Sequence, residues 1–125
     1  MQARNILLYV LFVCTIASSC NDRKKGSYAF EVLGSEQTGI DFSNKLTSTD
    51  SFNLFKYMYF YNGAGVGVGD FNNDGLQDVF FASNQGQNSL YLNKGSMQFR
   101  NVTNEAGIPS DNAWSTGVSV VDINN

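Results

Sequence analysis

Asp70-Phe71-Asn72-Asn73-Asp74-Gly75-Leu76-Gln77-Asp78 carries oxygen-bearing side chains at its first, third, fifth and ninth positions and glycine at its sixth. That is the order in which a calcium loop winds its ligands around one hard cation. Three carboxylates this close repel one another, by roughly 4 kcal/mol per pair at about 4 Å near a protein surface, and a divalent cation turns the repulsion into attraction. The flanks read as strands. Gly63-Ala64-Gly65-Val66-Gly67-Val68-Gly69 alternates valine with glycine, as a strand does where another backbone approaches closely, and Val79-Phe80-Phe81-Ala82 is a short run of the buried type. An EF-hand would need an acidic residue at the twelfth loop position, which here is Phe81, and a helix on each side. The glycine run is not a phosphate cradle: the third glycine of a dinucleotide fingerprint falls on Asp70, no Gly-Lys-Ser/Thr follows, and a phosphate would meet three carboxylates.

Downstream, Ser83 to Asn88 reads as a turn, Ser89-Leu90-Tyr91-Leu92 as a strand, Asn93-Lys94-Gly95-Ser96 as a hairpin turn and Met97 to Val102 as a fourth strand. Four short consecutive strands make an antiparallel meander, one propeller blade in outline. An internal repeat strengthens this. A shift of 52 residues lays Gly65-Val66-Gly67-Val68-Gly69-Asp70-Phe71-Asn72-Asn73 on Gly117-Val118-Ser119-Val120-Val121-Asp122-Ile123-Asn124-Asn125, with six of the nine positions identical. Asp122 and Asn124 then stand where Asp70 and Asn72 stand, as the partial start of a second acidic loop. The expected fold is all-β: antiparallel four-stranded blades of a β-propeller, incomplete in this chain.

Upstream, Tyr28 to Leu33 has the pattern of a short strand, and Glu36-Gln37-Thr38-Gly39-Ile40 echoes Glu105-Ala106-Gly107-Ile108 with one residue inserted. Residues 28–40 are therefore a candidate outer strand of a preceding or closing blade. Ser43 to Ser51 is polar and turn-rich. Phe52 to Tyr61 is crowded with aromatic residues, and its alternation around Tyr57, Tyr59 and Tyr61 predicts a strand with both faces in use. Those rings are candidates for core packing or for stacking against sugars.

The chain of 125 residues, with net charge -3 and no histidine, has room for one small domain. No basic patch is visible, so nucleic acid is not an expected partner. Without histidine the commonest general base is missing, as are most zinc sites, and no paired constellation forms around Glu105 or Asp111, so no enzymatic activity is expected. Residues 1–19 read as a signal peptide: Arg4 is followed by an apolar run from Ile6 to Ile16, too short to span a bilayer. Ala17-Ser18-Ser19-Cys20 resembles a bacterial lipobox, with Ala17 where leucine is commonest. The alternative is an ordinary secretory signal. Cys14 would leave with the signal, so Cys20 would be the one cysteine of the mature chain, and lipidation accounts for it. Residues 20–27 would tether the anchor to the domain. Asn21 after Cys20, rather than the Asp that retains enteric lipoproteins at the inner membrane, favours the outer membrane.

Gly69 to Val79 resembles the calcium-loop core of FG-GAP or VCBS-type repeats, the blades of integrin-alpha-like propellers. Asn88-Ser89-Leu90-Tyr91-Leu92-Asn93-Lys94-Gly95, Phe99 and Val102-Thr103-Asn104-Glu105-Ala106-Gly107-Ile108 are similar to bacterial cartilage-acidic-protein-like proteins, in which such repeats precede an ASPIC/UnbV region that this sequence lacks. The resemblance implies residues 28–62 as N-terminal strand(s) and insertion, 63–113 as one complete repeat and 114–125 as the start of a second, truncated one. It also implies Ca2+ held by side-chain oxygens of Asp70, Asn72, Asp74 and Asp78 and by the Leu76 carbonyl. The function so implied is a calcium-stabilised binding or adhesion scaffold, lipid-anchored in the bacterial cell envelope, with a protein or glycan ligand. Two alternatives stand beside it: an accessory glycan-binding protein using Tyr57, Tyr59, Tyr61 or Trp114, and the non-catalytic part of an exported enzyme.

Overall fold

The computed structural model describes residues 29–111 and 113–123. The signal peptide, Cys20 and the tether lie outside the described residues. The chain divides into two compact units, Met1–Glu31 and Val32–Asn125; the architecture that follows is that of the second. Among the described residues no helix is long and apolar enough to cross a membrane.

One helical turn, α1 (Ser35–Thr38), precedes four strands: β1 (Val66–Gly69), β2 (Asp78–Phe81), β3 (Ser89–Asn93) and β4 (Phe99–Asn101). They form a single antiparallel sheet in the order β1-β2-β3-β4, so the fold is all-β with the meander of one blade. Val68 pairs with Val79, Val79 with Tyr91 and Tyr91 with Asn101. Each connection has a local cause. The β2–β3 turn closes where the Ser83 amide donates to the Asn88 side chain at 2.8 Å and the Gly86 amide to the Ser83 hydroxyl at 2.9 Å. The β3–β4 turn uses Gly95 at φ 84°, a left-handed conformation that costs glycine little.

The two faces of the sheet are covered by different parts of the chain. Val66, Val68, Val79, Phe81 and Tyr91 share one face by register. Over it the Phe42 ring stacks on Phe81 at 4.8 Å, and the Tyr91 hydroxyl donates to Asp41 at 2.6 Å. Gly67 and Gly69 share the opposite face, and residues 117–120 lie against it. Asn84, fully buried, ties these layers together. Its side-chain amide donates to the carbonyls of Gly63 and Ser115, while its side-chain oxygen and its backbone amide both engage Asn44. In the sequence Asn84 is one polar residue of a turn, with no pattern that marks this role.

Two expected strands do not form. Residues 29–34 have no strand partner, and Phe30 and Val32 are 90% and 97% exposed. The chain instead turns into α1, whose Gln37 side chain accepts from the Gly34 amide and which ends at Gly39, φ 75°. The echo with residues 105–108 survives as a shared turn: Gly107 also has positive φ, at 69°. Phe52 to Tyr61 is a run of turns rather than a strand. The Asn53 side chain accepts from the amides of Phe55 and Lys56, which starts a turn. Packing then selects Phe52, Tyr57 and Phe60, a set that straddles both faces of a strand but converges on Trp114 at centroid distances of 4.9, 5.7 and 5.6 Å. Phe60 is fully buried, as core packing requires, whereas Tyr59 and Tyr61 remain 58% and 63% exposed.

Candidate metal loop and repeat interface

The acidic loop joins β1 to β2 at one end of the sheet. Its carboxylates are threaded with its own backbone amides. Asp70 accepts from Asp74 at 3.1 Å and from Gly75 at 2.7 Å through its two oxygens. The Asn72 oxygen also accepts from the Asp74 amide, and Asp74 accepts from the Leu76 amide at 2.8 Å and from the Asn72 side-chain amide at 2.8 Å. Gly75 turns the chain at φ 85°, and Asn73 precedes it at 62°, a conformation asparagine tolerates better than most residues. The amide of Gly75 is the main cause that holds the Asp70 carboxyl below its ordinary value of 3.8.

Asp78 behaves differently. It is fully buried, with one oxygen accepting from the Phe71 amide at 2.9 Å and the other from the Asn93 amide at 2.8 Å. It therefore locks the start of the loop to the end of β3. The Asn93 side chain reinforces this by donating to the Gln77 carbonyl.

The donor set named from the sequence is all oxygen, which suits a hard cation. The structure holds Asp70, Asn72 and Asp74 on one tight exposed turn with the Leu76 backbone, and sets Asp78 beneath it. Among the described residues no group of three or more His, Cys, Asp or Glu is placed to hold a metal ion. Asp74 accepts from the Asn72 side-chain amide, and both Asp78 oxygens accept from backbone amides. Each carboxylate oxygen keeps a second lone pair. Of the second loop, Asp122 is exposed and Asn124 lies outside the described residues.

The repeat also appears in space. A Cβ built on Gly67 would stand 2.5 Å from Val118 Cγ1 and 2.9 Å from Val120 Cγ2, and one on Gly69 would stand 2.9 Å from Val120 Cγ1. On Gly65 it would meet the Val118 backbone nitrogen at 2.6 Å. Val118 and Val120 are the 52-residue equivalents of Val66 and Val68. The valines of the second repeat segment thus fill the glycine side of β1, the strand one repeat before it. Val66 and Val68, the matching knobs of the first repeat, are 55% and 56% exposed.

The remaining candidates scatter. Glu105 pairs with Arg100, and Asp111 accepts from the Ala113 amide. Trp114 packs on Phe52, Tyr57 and Phe60.

A four-stranded antiparallel meander, with residues 117–120 of the following repeat segment lying against its first strand, has the arrangement of a β-propeller-type repeat module. The family model described as "FG-GAP-like repeat" matches residues 70–125. The match begins at the acidic loop and runs through β2, β3 and β4 into the next repeat strand, so the repeat type read from the sequence is supported. No curated protein and no solved structure matches the chain.

Proposed function

We propose that this module is a calcium-stabilised blade of a propeller on an exported, lipid-anchored envelope protein of the outer membrane, where it serves as a non-catalytic binding or adhesion scaffold. The seating of Val118 and Val120 in the glycine face of β1 carries the scaffold part, because it is how successive repeats bury surface that one repeat cannot bury alone. For calcium, support comes from the oxygen donors of Asp70, Asn72, Asp74 and Asp78 and the Leu76 carbonyl. The anchor rests on the lipobox-like segment ending at Cys20 and the lone cysteine of the mature chain.

A bound cation would neutralise the loop and clamp β1 to β2. Extracellular calcium modules have dissociation constants around 0.1 to 1 mM, and at about 100 times that constant binding adds roughly 2.7 kcal/mol. The test is thermal unfolding of the full chain in calcium and in chelator. A calcium-dependent rise in the midpoint that Asp70→Asn abolishes is expected; an identical midpoint in both buffers refutes the calcium reading. Mass spectrometry of the chain from a bacterial envelope tests the anchor separately, through diacylglyceryl and acyl mass on Cys20.

A further inference from the structure

At the end of the sheet opposite the acidic loop lies an open cavity of about 620 Å³. Three segments build it: the polar stretch before the aromatic turns, the β2–β3 turn, and the chain entering the second repeat. Phe52 and Trp114 form an aromatic wall, their rings edge to face at 4.9 Å. Lys45, Thr47, Thr49 and Gln85 line the rest. The polar rim is held in place rather than loose. Gln85 clamps Thr47 twice, accepting from its amide at 2.6 Å and donating to its carbonyl at 3.1 Å. Thr49 engages the Phe52 backbone on both sides.

Three lining groups have no hydrogen-bond or ion-pair partner among the described residues: the ammonium of Lys45, the hydroxyl of Thr47 and the buried indole nitrogen of Trp114. An uncommitted cation and a hydroxyl beside an aromatic wall are complementary to a ligand with a carboxylate, several hydroxyls and an apolar ring face. No Asp or Glu lines the cavity, so nothing in its lining opposes an anion.

We propose that this cavity binds an acidic sugar unit, a uronic-acid-type residue of a glycan, with its ring face against Trp114 and its carboxylate on Lys45. The inference deepens the binding-scaffold reading by naming a ligand class, and it is independent of calcium and of the lipid anchor.

Trp114 is the one tryptophan of the chain, so its fluorescence reports the site directly. The full chain is titrated with digalacturonate and with its neutral methyl ester, at one fixed calcium concentration. A saturable change with digalacturonate, at least tenfold weaker with the ester, is expected. Lys45→Met should bring both to the weaker affinity without altering the circular dichroism spectrum, since Lys45 is exposed. Absence of a saturable change in folded protein, equal affinity for acid and ester, or an unchanged preference in Lys45→Met overturns the proposal. Equally tight binding of triglutamate overturns the sugar assignment. None of these results bears on calcium or Cys20, whose tests stand apart.

Discussion

Substituting Gly67 by alanine tests the stacking of one repeat on the next. The added methyl would sit 2.5 Å from Val118 Cγ1 and 2.9 Å from Val120 Cγ2. Valine is stiff about χ1, so it cannot swing clear as a long side chain would. Inserting a methyl into a packed contact costs about 1–3 kcal/mol. Gly67 has no left-handed φ, so alanine also reduces unfolded-state entropy, which offsets about 0.4–1 kcal/mol. The net expectation is a loss of about 1–2 kcal/mol, or a midpoint lowered by about 5–10 °C for a domain of this size. Urea unfolding of Gly67→Ala, Val118→Ala and the double variant should give a coupling of about 1–2 kcal/mol, because shortening Val118 makes room. Gly65→Ala meets backbone at 2.6 Å and should not be rescued by Val118→Ala, whereas Gly117→Ala meets nothing within 4 Å and should be close to neutral. If Gly67→Ala is as stable as the parent and the coupling is zero, residues 117–120 do not lie on β1, and the repeat-on-repeat argument fails.

Asp78→Ala should cost about 1–3 kcal/mol in chelator as well as in calcium, because it strips the buried carboxylate acceptor from two part-buried amides, measured by urea unfolding. Asp70→Asn should flatten the acid limb of the stability curve. With its carboxyl held below 3.8, Asp70 contributes stability that is fully present above that pH and is lost as pH falls through the lower folded value, as acid titration of the two proteins would read. Tyr91→Phe should cost about 1–2 kcal/mol at neutral pH through loss of the bond to Asp41. Burial, and then Asp41, hold the Tyr91 hydroxyl above 10.0, so its contribution is present below pH 10 and lost as pH rises through the higher folded value; the variant should lack that alkaline limb.

The parts of the fold legible in the sequence are those whose partners are close in the chain. β1 to β4 follow from alternation and turn residues because each strand pairs with the next across a connection of eight, seven or five residues (70–77, 82–88 and 94–98). Phe52 to Tyr61 departs from its sequence pattern for the opposite reason. Its alternating rings fit a strand, but its partner is Trp114, more than fifty residues away, and the Asn53 side chain had already started a turn. The same holds for Asn44, Gln85 and Asn84, which join distant segments through side-chain amides that have no periodicity to betray them. Glycine alternation at 65, 67 and 69 did signal a close approach, though which backbone approaches emerges only when the repeat is laid on itself in space.

The acidic loop divides into two jobs along its length. Asp70, Asn72 and Asp74 fold the turn around their own amides, an arrangement that stabilises the charged form of Asp70. Asp78 is spent inward, joining Phe71 to Asn93, so that the loop, β2 and the end of β3 move as one piece. A cation held by Asp70, Asn72, Asp74 and Asp78 would therefore join the exposed turn to a floor that is already fixed, and its effect would reach the sheet through Asp78. The two ends should accordingly separate in experiment. Loss of Asp70 removes a contribution that is present at neutral pH and fades in acid, together with any calcium effect, while loss of Asp78 weakens the blade with or without calcium.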